Sequence, residues 1–160
     1  MTNRTASPAA WARPFLKAPS WLYSHQLGWL LGKKFLVVTH VGRKSGIERQ
    51  TVLEVVKYDK DSDESIVVSA YGKTADWYRN LQAAPSPLIR IGRVDYMPEQ
   101  RFLELDEARG IAVGWCEANR FEARFAIRVL AAIGAVPEDS FSDPVDLIAS
   151  FPMVGFRPRQ

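Results

Sequence analysis

Two runs rich in β-branched and aromatic residues, Phe35 to Val41 and Gln50 to Tyr58, are divided by only eight residues, Gly42-Arg43-Lys44-Ser45-Gly46-Ile47-Glu48-Arg49. Runs of this kind read as strands, and so short a connection ties neighbours that run antiparallel, because a parallel crossover needs a dozen or more residues. The connection carries three cations and two glycines. Glycine takes positive φ without steric cost, so Gly42 and Gly46 let the turn fold tightly and gather amides and cationic side chains in one small volume, a cradle for an anion. The competing reading is a charged turn open to water.

The rest of the chain repeats the hairpin spacing. A polar loop over 59–64 leads to a third strand, Ser65 to Tyr71, and Thr74 is placed to cap a short helix, Ala75 to Ala83, which stops before Pro85. Leu88 to Val94 and Tyr96 to Leu105 read as two more strands about a turn at Asp95. Asp106 opens a long helical stretch to about residue 133, with Gly110 and Gly114 as dividing points. Asp143 and Pro144 begin a last helix to Ser150, and Met153 to Arg157 reads as a closing strand. About six mostly antiparallel strands with peripheral helices define an α+β chain, a small barrel or open sheet and not a doubly wound one. One domain over 11–160 follows a flexible tail over 1–10, and 11–32 is an N-terminal amphipathic helical segment.

Charge is uneven. Residues 1–50 hold eight Lys and Arg against the single acid Glu48, a balance of +7, which leaves −4 of the net +3 to the remainder. The basic half suits a phosphorylated or carboxylated small molecule, an anionic membrane surface or nucleic acid. No RRM, KH or helix-turn-helix pattern supports nucleic acid. Trp21, Tyr23 and Trp29 followed by Lys33 and Lys34 make residues 20–34 a candidate for peripheral membrane contact, against the simpler role of a helix packed on the domain. No apolar run is long enough for a membrane span or a signal peptide, and the single Cys116 fits a reducing cytoplasm and a core position.

Several chemistries are excluded by pattern. There is no P-loop, no Gly-x-Gly-x-x-Gly and no Gly-x-Ser-x-Gly elbow, and two histidines with one cysteine make no zinc site, so no metal is expected. A cationic cradle, many aromatic residues and few acid, base or nucleophile candidates point to a bound cofactor that carries the chemistry.

Val38-Thr39-His40-Val41-Gly42-Arg43-Lys44-Ser45-Gly46, then Arg49, then Val67 to Gly72, then Asp76-Trp77-Tyr78-Arg79-Asn80-Leu81, closely resemble the deazaflavin-dependent nitroreductase and F420H2-dependent quinone reductase family. The family is a set of split β-barrel (FMN-binding split-barrel-like) oxidoreductases that use reduced coenzyme F420. The resemblance spans about 28–105 and returns at Pro152 to Pro158. It implies that Arg43, Lys44 and Arg49 meet the phosphodiester and oligoglutamate tail, with Thr39, Ser45 and Gly46 in the same groove. Thr51, Val52, Ser69, Ala70, Tyr71 and Gly72 are then expected beside the ring system, with Trp77 and Asn80 on the helix that closes the pocket. Trp77 has a second reading, as a core anchor.

Departures from the family pattern fall at His40, where members often carry Thr, at Ala70, where one branch carries Ser, and on the late helix. There Trp115, Phe121 and Phe125 stand as substrate contacts in place of tyrosines. The function implied is hydride transfer from reduced deazaflavin to a quinone, a nitroaromatic or a similar electron-poor acceptor, with Tyr71 as proton donor or substrate contact. An FMN-binding split-barrel oxidoreductase and a non-catalytic deazaflavin or apolar-ligand binding protein are the alternatives. A cytoplasmic enzyme, in part at the inner face of the membrane, is expected.

Overall fold

The computed structural model describes residues 32–121, 123 and 143–159. The expected tail, nearly all of the amphipathic segment and Phe125 lie outside the described residues.

Seven strands form one sheet: β1 (Phe35–Val41), β2 (Glu48–Asp59), β3 (Glu64–Val68), β4 (Leu88–Ile91), β5 (Val94–Tyr96), β6 (Pro98–Phe102) and β7 (Met153–Pro158). Their order is β5-β4-β1-β2-β3-β7-β6, and every neighbouring pair is antiparallel. The sheet curls because β2 serves two partners. Its first half pairs with β1, its second half with β3, and the register slips between Val55 and Lys57. A bulge of that kind bends its strand and raises the local twist. The edge strands β5 and β6 are separated in the chain by Met97 alone, so the sheet returns on itself as a nearly closed split barrel.

Among the described residues three α-helices accompany the strands: α1 (Asp76–Ala83), α2 (Leu105–Ala118) and α3 (Pro144–Ser150). Strand alternation sends side chains to two cores. Leu36, Val38, Leu53, Val67, Ile89, Val154 and Phe156 fill the barrel, where Trp77, Tyr78 and Leu81 of α1 join them. Ile66 and Met153 face the other way, onto Ala108, Ile111, Ala112 and Cys116 of α2 and Ile148 and Ala149 of α3. Each fully buried large side chain contributes about 1.5–3 kcal/mol of transfer free energy, so α1 and α2 are held chiefly by these faces.

Five expectations change in detail. The turn expected at Asp95 falls at Gly92 and Arg93, where Gly92 holds φ +59°, and Asp95 lies in β5 opposite Arg90. The single strand expected over 96–105 is broken at Met97, and α2 begins at Leu105. Gly110 and Gly114 lie inside α2 and do not divide it; its end is Asn119, whose φ of −127° leaves the helical range. The third strand stops at Val68, because the Ser69 hydroxyl bonds to the Gly72 carbonyl (2.8 Å) and turns the chain. Thr74 does not cap α1, since its hydroxyl donates to the Tyr71 carbonyl (2.8 Å); Ala75 takes the cap position. At α3 the expected cap is present, with the Asp143 carboxylate accepting from the Val145 amide (2.8 Å) and Pro144 opening the helix.

One guanidinium ties three elements on the outer side of the barrel. Arg101 of β6 makes paired bonds to Glu64 of β3 (2.6 and 2.8 Å) and to Glu107 of α2 (2.8 and 2.7 Å). Room for it comes from Gly155 of β7, where a Cβ would stand 2.6 Å from Glu64 Oε1.

Candidate functional site

The loop from Gly42 to Ile47 closes on itself. The Gly42 amide donates to the Ile47 carbonyl (2.9 Å), and the Gly42 carbonyl accepts from the amides of Ser45 (3.1 Å) and Gly46 (2.8 Å). Gly46 holds φ +66°, a left-handed conformation that strains any residue with a Cβ. At Gly42 a Cβ would come within 2.5 Å of Ser45 Oγ. The two glycines read from the sequence as turn formers therefore act differently, one through its backbone angle and the other through the space it leaves.

Helix α1 is clasped to this turn by a chain of hydrogen bonds. The Asn80 side-chain oxygen accepts from the Arg43 amide (3.1 Å) and from Arg43 Nη1 (3.0 Å), and Arg43 Nη1 also meets Asp76 Oδ1 (3.0 Å). Asn80 Nδ2 lies 3.0 Å from His40 Nδ1, and His40 Nε2 lies 3.0 Å from Thr51 Oγ1. Since the Asn80 oxygen already accepts from Arg43, its NH2 must donate to His40 Nδ1. The imidazole proton then sits on Nε2 and is donated to Thr51. His40 and Asn80 are both 3% exposed. Burial first, and the Arg49 charge second, push the His40 pKa below its ordinary value, with Asp76 opposing. Asp76 is held below the usual carboxylate range, mainly by the hydrogen bond and charge of Arg43 and further by Arg79 and Arg49.

The expected site residues sort by what they already do. Arg43 is engaged at Nη1 by Asp76 and Asn80, so it anchors the turn to α1. Lys44 and Arg49, both exposed, form no ion pair or side-chain hydrogen bond with the described residues. Thr39 is buried and its carbonyl accepts from the Ser86 hydroxyl (2.7 Å). Ser69 is fully buried, with its hydroxyl on Gly72. Thr51, Val52, Ala70 and Gly72 are half-buried, and Tyr71 stands 53% exposed. Trp77 lies in the barrel core, edge-on to Tyr78 with ring centroids 5.9 Å apart, which matches its reading as an anchor.

Two participants were not legible as such. Asp76 and His40 reveal their parts only through partners 33 and 40 positions away in sequence. The loop before α1 joins the same sector, because Arg79 Nε donates to the Lys73 carbonyl (3.1 Å).

Trp115 of α2 is set apart from this network. With Val56, Ile111, Gly114, Ala118 and Asn119 it lines a cleft of about 590 Å³ between α2 and β2. Phe121 is 92% exposed. Cys116 is buried and its thiol is pushed up by burial, as a core side chain and not a thiolate nucleophile. Among the described residues no cluster of His, Cys, Asp and Glu can hold a metal ion, and no helix is long and apolar enough to cross a membrane.

The described residues thus form a split barrel whose cationic turn is clasped to helix α1. The chain belongs to the F420H(2)-dependent quinone reductase family, whose model matches residues 20–122. Among solved structures it is similar to an F420-H2 dependent reductase, FDR-A, at 19% identity over 79% of this chain and 96% of that one, with a TM-score of 0.49. It is also similar to a pyridoxamine 5'-phosphate oxidase-related, FMN binding protein from Nostoc punctiforme PCC 73102, at 13% identity over 96% of this chain and 82% of that one, with a TM-score of 0.51. The second likeness shows the split-barrel fold. No curated protein matches the chain. Family membership makes this an F420H2-dependent oxidoreductase with coenzyme F420 as its cofactor.

Proposed function

We propose that the chain reduces a quinone, or a similarly flat and electron-poor acceptor, with hydride from F420H2 held by the Gly42 to Arg49 turn. The observation that carries this reading is the division of labour among the cations: Arg43 is spent on Asp76 and Asn80, while Lys44 and Arg49 are unspent and exposed beside it. A phosphodiester and carboxylate tail is the ligand chemistry that two such cations and the turn's amides fit. Bound there, the cofactor supplies a hydride from the ring carbon that replaces a flavin nitrogen.

The chain's own part is binding and orientation. Lys44 and Arg49 take the tail, the glycine turn sets the approach of its backbone, and Thr51, Val52, Ala70, Tyr71 and Gly72 border the ring. Tyr71, exposed and without a side-chain partner among the described residues, is available for the acceptor or its proton. The cleft at Trp115 has a largely apolar lining suited to a flat ligand, with Lys57, Glu107 and Asn119 as its polar contributors.

The test is a cuvette reaction in which the full chain and F420H2 are mixed with menadione or a nitroaromatic and the return of oxidised F420 absorbance is followed. Saturable, enzyme-dependent oxidation with menadione is expected. Tight binding without acceptor-dependent oxidation identifies a binding protein instead, and saturation by FMN but not F420 identifies a flavoprotein.

A further inference from the structure

His40 is a buried titratable group that the binding reading leaves without a task. Its neighbour Asn80 has two faces, one meeting donors on Arg43 and the other meeting the imidazole. Were the carboxamide reversed, its NH2 would confront the Arg43 amide and guanidinium, donor against donor. The observed orientation turns Nδ2 toward the imidazole, where it needs an acceptor. Thr51 Oγ1, at 3.0 Å, completes the arrangement by accepting from Nε2.

We propose that His40 is a positioning residue for the anion cradle: its Nδ1 lone pair keys the Asn80 carboxamide, which in turn holds the Arg43 amide and guanidinium and so the shape of the turn. An imidazolium carries a hydrogen on Nδ1, directed at the Asn80 NH2, and the clasp loses its keystone. The charged groups about the ring are Arg49 from β2, Arg43 from the turn and Asp76 from α1. Burial and Arg49 keep the ring neutral at ordinary pH, with Asp76 opposing. Two effects of acid then have opposite signs. Simple Coulomb attraction has an imidazolium strengthen anion binding, whereas loss of the clasp weakens it. The sign of the pH dependence decides between them.

Two substitutions separate the ring's two nitrogens. In His40→Asn the amide oxygen can occupy the place of Nδ1 without titrating, and in His40→Gln the longer amide reaches toward Thr51 and leaves Asn80 without its acceptor. The consequence for the cofactor rests on the deazaflavin reading; the clasp does not, so each is measured separately on the full chain. Hydrogen exchange of the Arg43 amide, followed by NMR without cofactor, reports the clasp. F420 fluorescence titration at constant ionic strength reports the cradle.

In the wild type, protection of the Arg43 amide and F420 affinity are both expected to be kept at about pH 7.5 and to be lost by about pH 4.5, because the folded ring titrates below the ordinary imidazole value of 6.5. The affinity loss expected for one broken buried hydrogen bond is about tenfold. His40→Asn is expected to keep both properties at both pH values, and His40→Gln to lack both at either. Affinity that rises on acidification, Arg43 protection that ignores pH, or wild-type behaviour in His40→Gln overturns the proposal. If Arg43 protection follows the expected pattern while F420 binds at neither pH, the deazaflavin reading falls and the clasp stands.

Discussion

At the scale of single residues, Lys44 and Arg43 are adjacent and alike in charge, yet their surroundings assign them different consequences. Lys44→Ala removes a cation with no partner among the described residues, so F420 affinity is expected to drop about tenfold or more with the unfolding temperature unchanged. Arg43→Ala strips Asn80 and Asp76 of a charge-assisted donor, so affinity is expected to fall together with stability, by about 1–3 kcal/mol. Parallel fluorescence titrations and thermal unfolding of the two variants check the contrast. His40 adds a pH dependence to folding. Its folded pKa is lowered, so its contribution to stability is present above the ordinary value of 6.5 and is lost as pH falls through the lowered value. Urea unfolding across that window is expected to show His40→Asn losing less stability with acid than the wild type. The cations of the turn were legible in the sequence because composition alone shows them. Their partners were not, since nothing local ties residue 43 to residues 76 and 80.

At the scale of elements, the barrel's outer side depends on an absent side chain. Gly155→Ala would set a Cβ 2.6 Å from Glu64 Oε1 and 3.4 Å from Arg101 Cγ, against the clamp that joins β3, β6 and α2. A destabilisation of about 1–3 kcal/mol is expected in denaturant unfolding. Combining it with Arg101→Ala is expected to be less than additive, because the clamp is already lost. Strands such as Phe35–Val41 were readable from alternation and β-branched content, and α3 from Asp143 and Pro144. The break at Met97 was not, because one residue leaving a sheet edge alters no periodicity. Thr74 misled because its hydroxyl donates to the Tyr71 carbonyl three residues back, which no local pattern signals.

At the scale of the whole molecule, the split barrel places its cationic turn and helix α1 at one corner, while α2 and α3 cover another face with a separate core. Under the proposed function, cofactor tail and acceptor are met by different elements. Trp115→Ala is expected to raise the KM for menadione several-fold while leaving F420 affinity within about twofold, on the loss of one aromatic contact; steady-state kinetics with both substrates varied checks this. Fold class and cofactor were legible because four ordered motifs keep their separations along the chain. The acceptor was not, because its candidate contacts, Trp115 and Phe121, depart from the family pattern. We propose that the Gly42 to Arg49 turn holds the deazaflavin tail through Lys44 and Arg49. This proposal is tested most directly by equilibrium titration of the full chain and its Lys44→Ala, Arg49→Ala double variant with F420. Saturable binding by the wild type and its loss in a folded double variant are expected; equal affinity in the two would contradict the account.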